Sequence, residues 1–88
     1  MLPVRLKNAR LRANFTQEKL GVLAGIEEAT ARSRISQYES GIHRPTFEMM
    51  CAFAKVLNVP ECYFYTVDDD FAETILKLHN GETVQWRK

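Results

Sequence analysis

Residues 17–41 hold the feature that most limits what this chain can become: two helix-forming segments that meet at a glycine, the second of them polar on all but one narrow stripe. In the first segment, Leu20, Leu23 and Ala24 supply an apolar face until Gly25 interrupts it. Beyond the glycine runs IEEATARSRISQYESG, in which Ala31, Ile35 and Tyr38 fall at i, i+4 and i+7 while Arg32, Ser33, Ser36 and Gln37 lie to the other side. Gly41 ends it. Such a helix is amphipathic with an unusually polar outer face, so one side seats on a core and the other is left for a partner.

The rest of the chain reads as helix as well. Leu6, Ala9 and Ala13 stripe a first helix over about residues 3–13, with Arg10 on the same face and Pro3 where a first turn tolerates it. Asn14 accepts the left-handed conformation at its end, and Thr16 offers a hydroxyl to cap the second helix. After the loop IHRP, Thr46 caps a fourth helix whose face is Phe47, Met50, Phe53, Ala54 and Leu57, ending at Asn58. Pro60 opens a short fifth helix through Tyr65. Asp68 to Asp70 precede a sixth stripe, Phe71, Ile75 and Leu78, closed by Asn80 and Gly81. Strand-like alternation never exceeds TVQW near the end. The expected class is all-α: a five-helix domain over residues 1–66 and an added C-terminal sixth helix and tail over 67–88.

Two helices joined at a glycine, followed by a loop bearing His43 and Arg44, form an arrangement that sets one helix in a major groove and basic groups on the flanking backbone. Charge agrees: residues 1–45 carry eight Lys or Arg against four Asp or Glu, net +4, and residues 46–88 carry four against seven, net −3. Other functions find little support. Glu27 with Glu28, and the Asp68 to Asp70 run, are acidic, but no nucleophile, positioned base or metal ligands accompany them, so no enzyme activity and no cofactor are expected. Cys51 and Cys62 lack metal-ligand spacing and read as reduced thiols; neither His43 nor His79 marks a metal site. Tyr63, Phe64 and Tyr65 could stack single-stranded bases, yet packing of the short fifth helix accounts for them more simply. There is no membrane-length apolar run, and Met1 leads into LPVRLKNAR without the order of a secretory signal, so the chain is expected in the cytoplasm and off the membrane.

RLKNARLRANFTQEKLGVLAG and ISQYESGIHRPTFEMMCAFAKVLNVPECYFY resemble the XRE family of helix-turn-helix regulators, the Cro and phage-repressor type, over about residues 5–65. The resemblance implies a lambda-repressor-like DNA-binding fold, with the third helix reading bases. Asn14 and Asn58 stand where the family favours glycine, the mildest substitution at a left-handed position. Gly21 stands where Ala is usual, and either residue lets the third helix approach the second. Carried over residue by residue, the resemblance implies that Gln37 reads a base, its amide suited to adenine, and that Arg32 and Ser33 hold the two earlier reading positions. It implies DNA backbone contacts from Gln17, which also braces the third helix, and from Ser40, His43 and Arg44; Arg34 is grouped with them. It also implies an ion pair between Arg10 and a buried Glu39.

About four residues between Gly25 and Ile35 exceed the family pattern. One expectation places them in a longer turn, residues 27–29, with Thr30 capping the third helix through the backbone N–H of Arg32 or Ser33. The other starts the helix near Glu28, with the acidic pair on its positive end. The first is preferred, because extending the helix by one turn, about 6 Å, would carry its first residue away from the second helix. The partners expected are double-stranded DNA and a second copy of the chain, the homodimer binding an inverted repeat through two half-sites. Phe71, Ile75 and Leu78 are the expected dimer contacts, with folding of the sixth helix onto its own domain as the alternative. The rival function is an antitoxin or adaptor whose main role is to grip another protein, such as a toxin.

Overall fold

Pro3 occupies the first turn of α1 (Pro3–Arg12), where its missing N–H is no loss. Asn14, at φ 58°, turns the chain into α2 (Gln17–Leu23). The Thr16 side chain accepts from the Lys19 N–H at the start of α2, at 3.0 Å. Next come α3 (Glu28–Ser40) and α4 (Phe47–Leu57), the latter capped by Thr46 through the Met49 N–H. Asn58, at φ 54°, ends α4 and leads into a 3-10 helix (Glu61–Tyr65) and then α5 (Asp69–His79). These elements belong to a computed structural model of the chain that describes residues 1–82; the tail 83–88, with its TVQW stretch, lies outside the described residues. Among the described residues all regular structure is helical, five α-helices and the 3-10 helix.

The core draws on every element. Leu6, Leu20, Ile35 and Phe53 lose essentially all contact with solvent, and Tyr63 and Phe64 bring the 3-10 helix onto the same cluster. Tyr38 meets Phe53 edge to face, with ring centroids 5.9 Å apart. Phenolic Tyr63 is held up from its ordinary pKa by burial, a shift that the nearby Arg12 and Arg5 partly oppose.

α3 begins at Glu28, not at the Thr30 cap that the longer-turn expectation favoured. The surplus residues form an extra turn of helix. Glu27 stands at the cap position without a side-chain hydrogen bond, and the Thr30 hydroxyl donates backward to the Glu27 carbonyl at 3.4 Å instead of receiving an N–H. The added turn stays against α2, because Glu28 lines a shallow groove with Thr16, Lys19, Val22 and Leu23, and its carboxylate falls in the first turn, where the helix dipole favours negative charge. Further along, a Cβ added at Gly21 would sit 2.7 Å from the Ala31 Cβ, so α2 and α3 touch almost backbone to backbone.

α5 turns its small residue inward. Ala72 and Leu76 are buried, Ile75 is half-buried against the core, and Phe71 and Leu78 remain 41% and 58% exposed. Asp68 caps the helix through the Phe71 N–H at 2.8 Å. Arg12 of α1 pairs with Glu73, and His79 lies 3.2 Å from the Asn58 side-chain oxygen. α5 thus both folds back on its domain and keeps an apolar edge outward.

Candidate nucleic-acid interface

The placement of α3 depends on one carboxylate. The Glu39 side chain is 5% exposed and receives three side-chain hydrogen bonds: Arg10 Nε at 2.6 Å, Arg10 Nη2 at 3.1 Å and Gln17 Nε2 at 3.1 Å. Arg10 also donates from Nη1 to the Phe15 carbonyl at 2.9 Å. Three helices and the α1–α2 turn therefore meet at a single buried ion pair. Its two-point geometry fixes direction as well as distance.

With Ala31, Ile35 and Tyr38 buried, the 100° step of the helix decides what the rest of α3 presents. Ser33 and Gln37, one turn apart, lie opposite the core, Ser33 exposed and Gln37 half-buried. Ser36 and Ser40 share that side. Arg32 stands on the flank toward α2, where it lines a groove of about 920 Å³ with Ser36, Ser40, Glu39, Arg10 and Lys7, and with Thr16, Gln17 and Glu18 at the start of α2. Arg34 lies on the opposite flank. Its Nη2 donates to the Tyr38 hydroxyl at 2.7 Å, and its guanidinium lies 5.7 Å from the centroid of the Tyr38 ring.

The loop after α3 is tied to the helix it follows. Gly41, at φ 81°, takes the left-handed conformation that a side chain would resist, which allows the Ile42 and His43 N–H groups to return to the Gln37 carbonyl at 3.0 and 3.3 Å. The Ser40 hydroxyl donates to the same carbonyl at 3.2 Å. Gln37 is thus both an outward side chain and the anchor of the loop bearing the exposed His43 and Arg44. Sequence reasoning gave no site role to Lys7, nor to Ser36, which it placed on the polar side of the third helix. Helical spacing could have found them, since Lys7 lies three residues before Arg10 and Ser36 four after Arg32.

With Arg10 and Glu39 paired, the groove keeps Lys7 and Arg32 against Glu18, and α3 offers short polar side chains at its outer face; basic groups track phosphate and polar side chains probe base edges. Among the described residues no group of three or more His, Cys, Asp or Glu could hold a metal ion, and Cys51 and Cys62 are free thiols. No described helix is long and apolar enough to cross a membrane.

Comparison with known proteins follows the same lines. A helix-turn-helix family profile matches residues 6–64. Among solved structures, the chain is similar to one described as the crystal structure of transcriptional regulator BswR, at 44% sequence identity and a TM-score of 0.87, covering 90% of this chain and 78% of that one. A search of curated proteins found no match.

Proposed function

The chain belongs to the XRE-type helix-turn-helix family of DNA-binding regulators, and on that premise we propose that it is a sequence-specific regulator that sets α3 in the major groove of double-stranded DNA. The observation that carries this reading is the buried Arg10–Glu39–Gln17 node, which holds α3 rigidly with Ser33 and Gln37 turned outward beside a loop that carries His43 and Arg44. In this reading Gln37, Ser33 and the flanking Arg32 meet base edges. Gln17, Ser40, His43 and Arg44 meet the sugar-phosphate backbone. Arg34 gives one of its five N–H donors to the Tyr38 hydroxyl, and in this reading the others meet phosphate.

We further read the protein as a cytoplasmic homodimer on an inverted repeat, residues 1–66 forming the reading head and residues 67–88 the pairing arm. The exposed edge of α5, Phe71 and Leu78 beside Ile75, is the apolar surface available for pairing. Selecting bound duplexes from a random pool tests the first reading, and a pool that yields no shared motif refutes it. On the selected site, Gln37→Ala is expected to relax preference at one position by about 1–3 kcal/mol, whereas Arg44→Ala weakens all sequences alike. Equal losses on selected and random DNA for Gln37→Ala would count against base reading by that residue.

A further inference from the structure

α1 grips the molecule at two places. Arg10 holds α3, and Arg5, five residues earlier, holds the segment that leads into α5. Arg5 is only 4% exposed, and two of its nitrogens point at one segment: Nε donates to the Thr66 carbonyl at 3.0 Å, and Nη2 to the Val67 carbonyl at 3.0 Å and to Asp69 Oδ1 at 2.7 Å. The guanidinium lies 5.8 Å from the centre of the Tyr63 ring. A buried guanidinium bonded to two successive carbonyls defines the path of a chain in a way that a lone contact cannot, because both bonds hold only for one backbone direction. Asp69 is 89% exposed, so its charge adds little, and the carbonyl bonds carry the constraint. Nothing in the reading of DNA by α3 uses this residue.

We propose that Arg5 is a positioning residue that sets the angle of α5 to the reading helix, and so the spacing of half-sites that a dimer accepts. The inference rests on the reading of α5 as the pairing element. In a dimer joined through α5, the path from one α3 to the other passes twice through the seat of α5 on its domain, where Ala72 and Leu76 supply the packing and the segment 66–68, held by Arg5, sets the direction in which the helix leaves. Each base pair added between half-sites moves the second by about 3.4 Å and turns it by roughly 35°, so an arm held at one angle accepts one spacing while a loosened arm accepts several. The link runs from Glu39 through Arg10, along α1 to Arg5, and out to the Thr66 and Val67 carbonyls.

The test uses the full chain and duplexes carrying the selected half-site, either singly or as inverted repeats whose spacer changes by one base pair at a time. The wild type is expected to prefer one spacer over its neighbours by on the order of tenfold. Arg5→Met is expected to bind the single half-site within about twofold of the wild type and to sediment as a dimer, while its spacer preference flattens or moves. Should Arg5→Met fail to fold, Arg5→Lys keeps the charge and the buried stem but lacks the fork that spans both carbonyls, and the same flattening is expected of it. A dimeric variant that keeps the wild-type spacer profile overturns the role given to Arg5 and leaves pairing through α5 intact. A wild type that sediments as a monomer, or prefers no spacer, overturns the pairing reading and this inference with it.

Discussion

Placing alanine at position 21 pits two opposing effects against each other, and their sizes can be worked from the structure. Gly21 lies within α2, where Ala is favoured over Gly by about 1 kcal/mol of helix propensity. Judged from the sequence alone, Gly21→Ala should stabilise. The added Cβ, however, would sit 2.7 Å from the Ala31 Cβ, 3.1 Å from its Cα and 3.2 Å from its carbonyl oxygen, against an ordinary carbon contact of roughly 3.5–4.0 Å. Two of the three atoms are backbone, so relief requires α2 and α3 to part. Overpacking of this kind costs about 1–3 kcal/mol. The net expectation is a loss of up to about 2 kcal/mol, which for a chain of this size lowers Tm by roughly 4–8 °C per kcal/mol. Ala31→Gly alone should also destabilise, by about 1–2 kcal/mol, through propensity and a lost buried methyl. Combined, the two changes exchange which helix supplies the methyl group. The double variant should therefore be more stable than the sum of the single losses by about 1 kcal/mol or more. Urea or thermal unfolding of the four proteins measures this directly. If Gly21→Ala stabilises by the full propensity gain of about 1 kcal/mol, or if the two single effects simply add, the helices are not in the contact described.

Other expectations follow from the buried ion pair, the buried phenol and the exposed edge of α5. Arg10→Met strands the Glu39 carboxylate, 5% exposed, and should cost about 3–5 kcal/mol in chemical unfolding; a near-unchanged midpoint would mean the pair contributes little. Because burial raises the Tyr63 pKa above its ordinary 10.0, the unfolded chain ionises first as pH rises. The associated stability is present in full below about pH 10 and declines above it as pH climbs toward the folded pKa; Tyr63→Phe should lessen that alkaline decline, and an unaltered pH profile would assign it to other groups. Leu78→Asp places a charge on the 58% exposed edge of α5 and should give monomers on sedimentation without loss of helicity, whereas an unchanged dimer would move the interface elsewhere.

Much of the fold was legible because its signals are local. Thr16, Thr46 and Asp68 each precede a helix and each cap it, and Asn14 and Asn58 take the left-handed conformation that a helix end requires. The seating of α5 was harder to read, since two i, i+4 pairs compete on it. Phe71 and Ile75 are the larger, yet Ala72 and Leu76, one residue on and rotated by 100°, are the pair that the domain buries. A small residue at 72 lets the helix axis approach, and size alone misjudges which face is inward. Arg5 leaves no pattern in the sequence at all: its carbonyl partners lie 61 and 62 residues away and any residue type supplies a carbonyl. On the proposed reading surface, spacing places Ser33 and Gln37 on one side. Only the tertiary structure shows Arg32 turned toward the α2 groove and Arg34 bonded to Tyr38.

The misplaced start of α3 supplies a comparison that isolates its cause. Three threonines stand near helix starts, and only the geometry of the acceptor distinguishes them. Thr16 and Thr46 accept from the N–H three residues on, at 3.0 and 3.1 Å, each satisfying a donor that the first turn of helix leaves unpaired. Thr30 lies inside α3, and its hydroxyl donates weakly to a carbonyl already engaged by its own backbone N–H at 3.1 Å. Removing a cap costs about 0.5–2 kcal/mol, so Thr16→Ala and Thr46→Ala should each lower stability by that amount. Thr30→Ala exchanges a β-branched residue for the best helix former at an exposed site and should be neutral or stabilise by a few tenths of a kcal/mol. Glu27 completes the argument, since it holds the cap position without capping. Glu27→Ser supplies the missing acceptor and should stabilise by about 0.5–1 kcal/mol, while the same exchange at Glu28, inside the helix, removes a favourable charge from the first turn and should not. Had α3 begun at a Thr30 cap, the order would reverse: Thr30→Ala would cost as much as the other two, and Glu27→Ser would do nothing. Unfolding midpoints for these five single substitutions therefore decide which residue starts the helix.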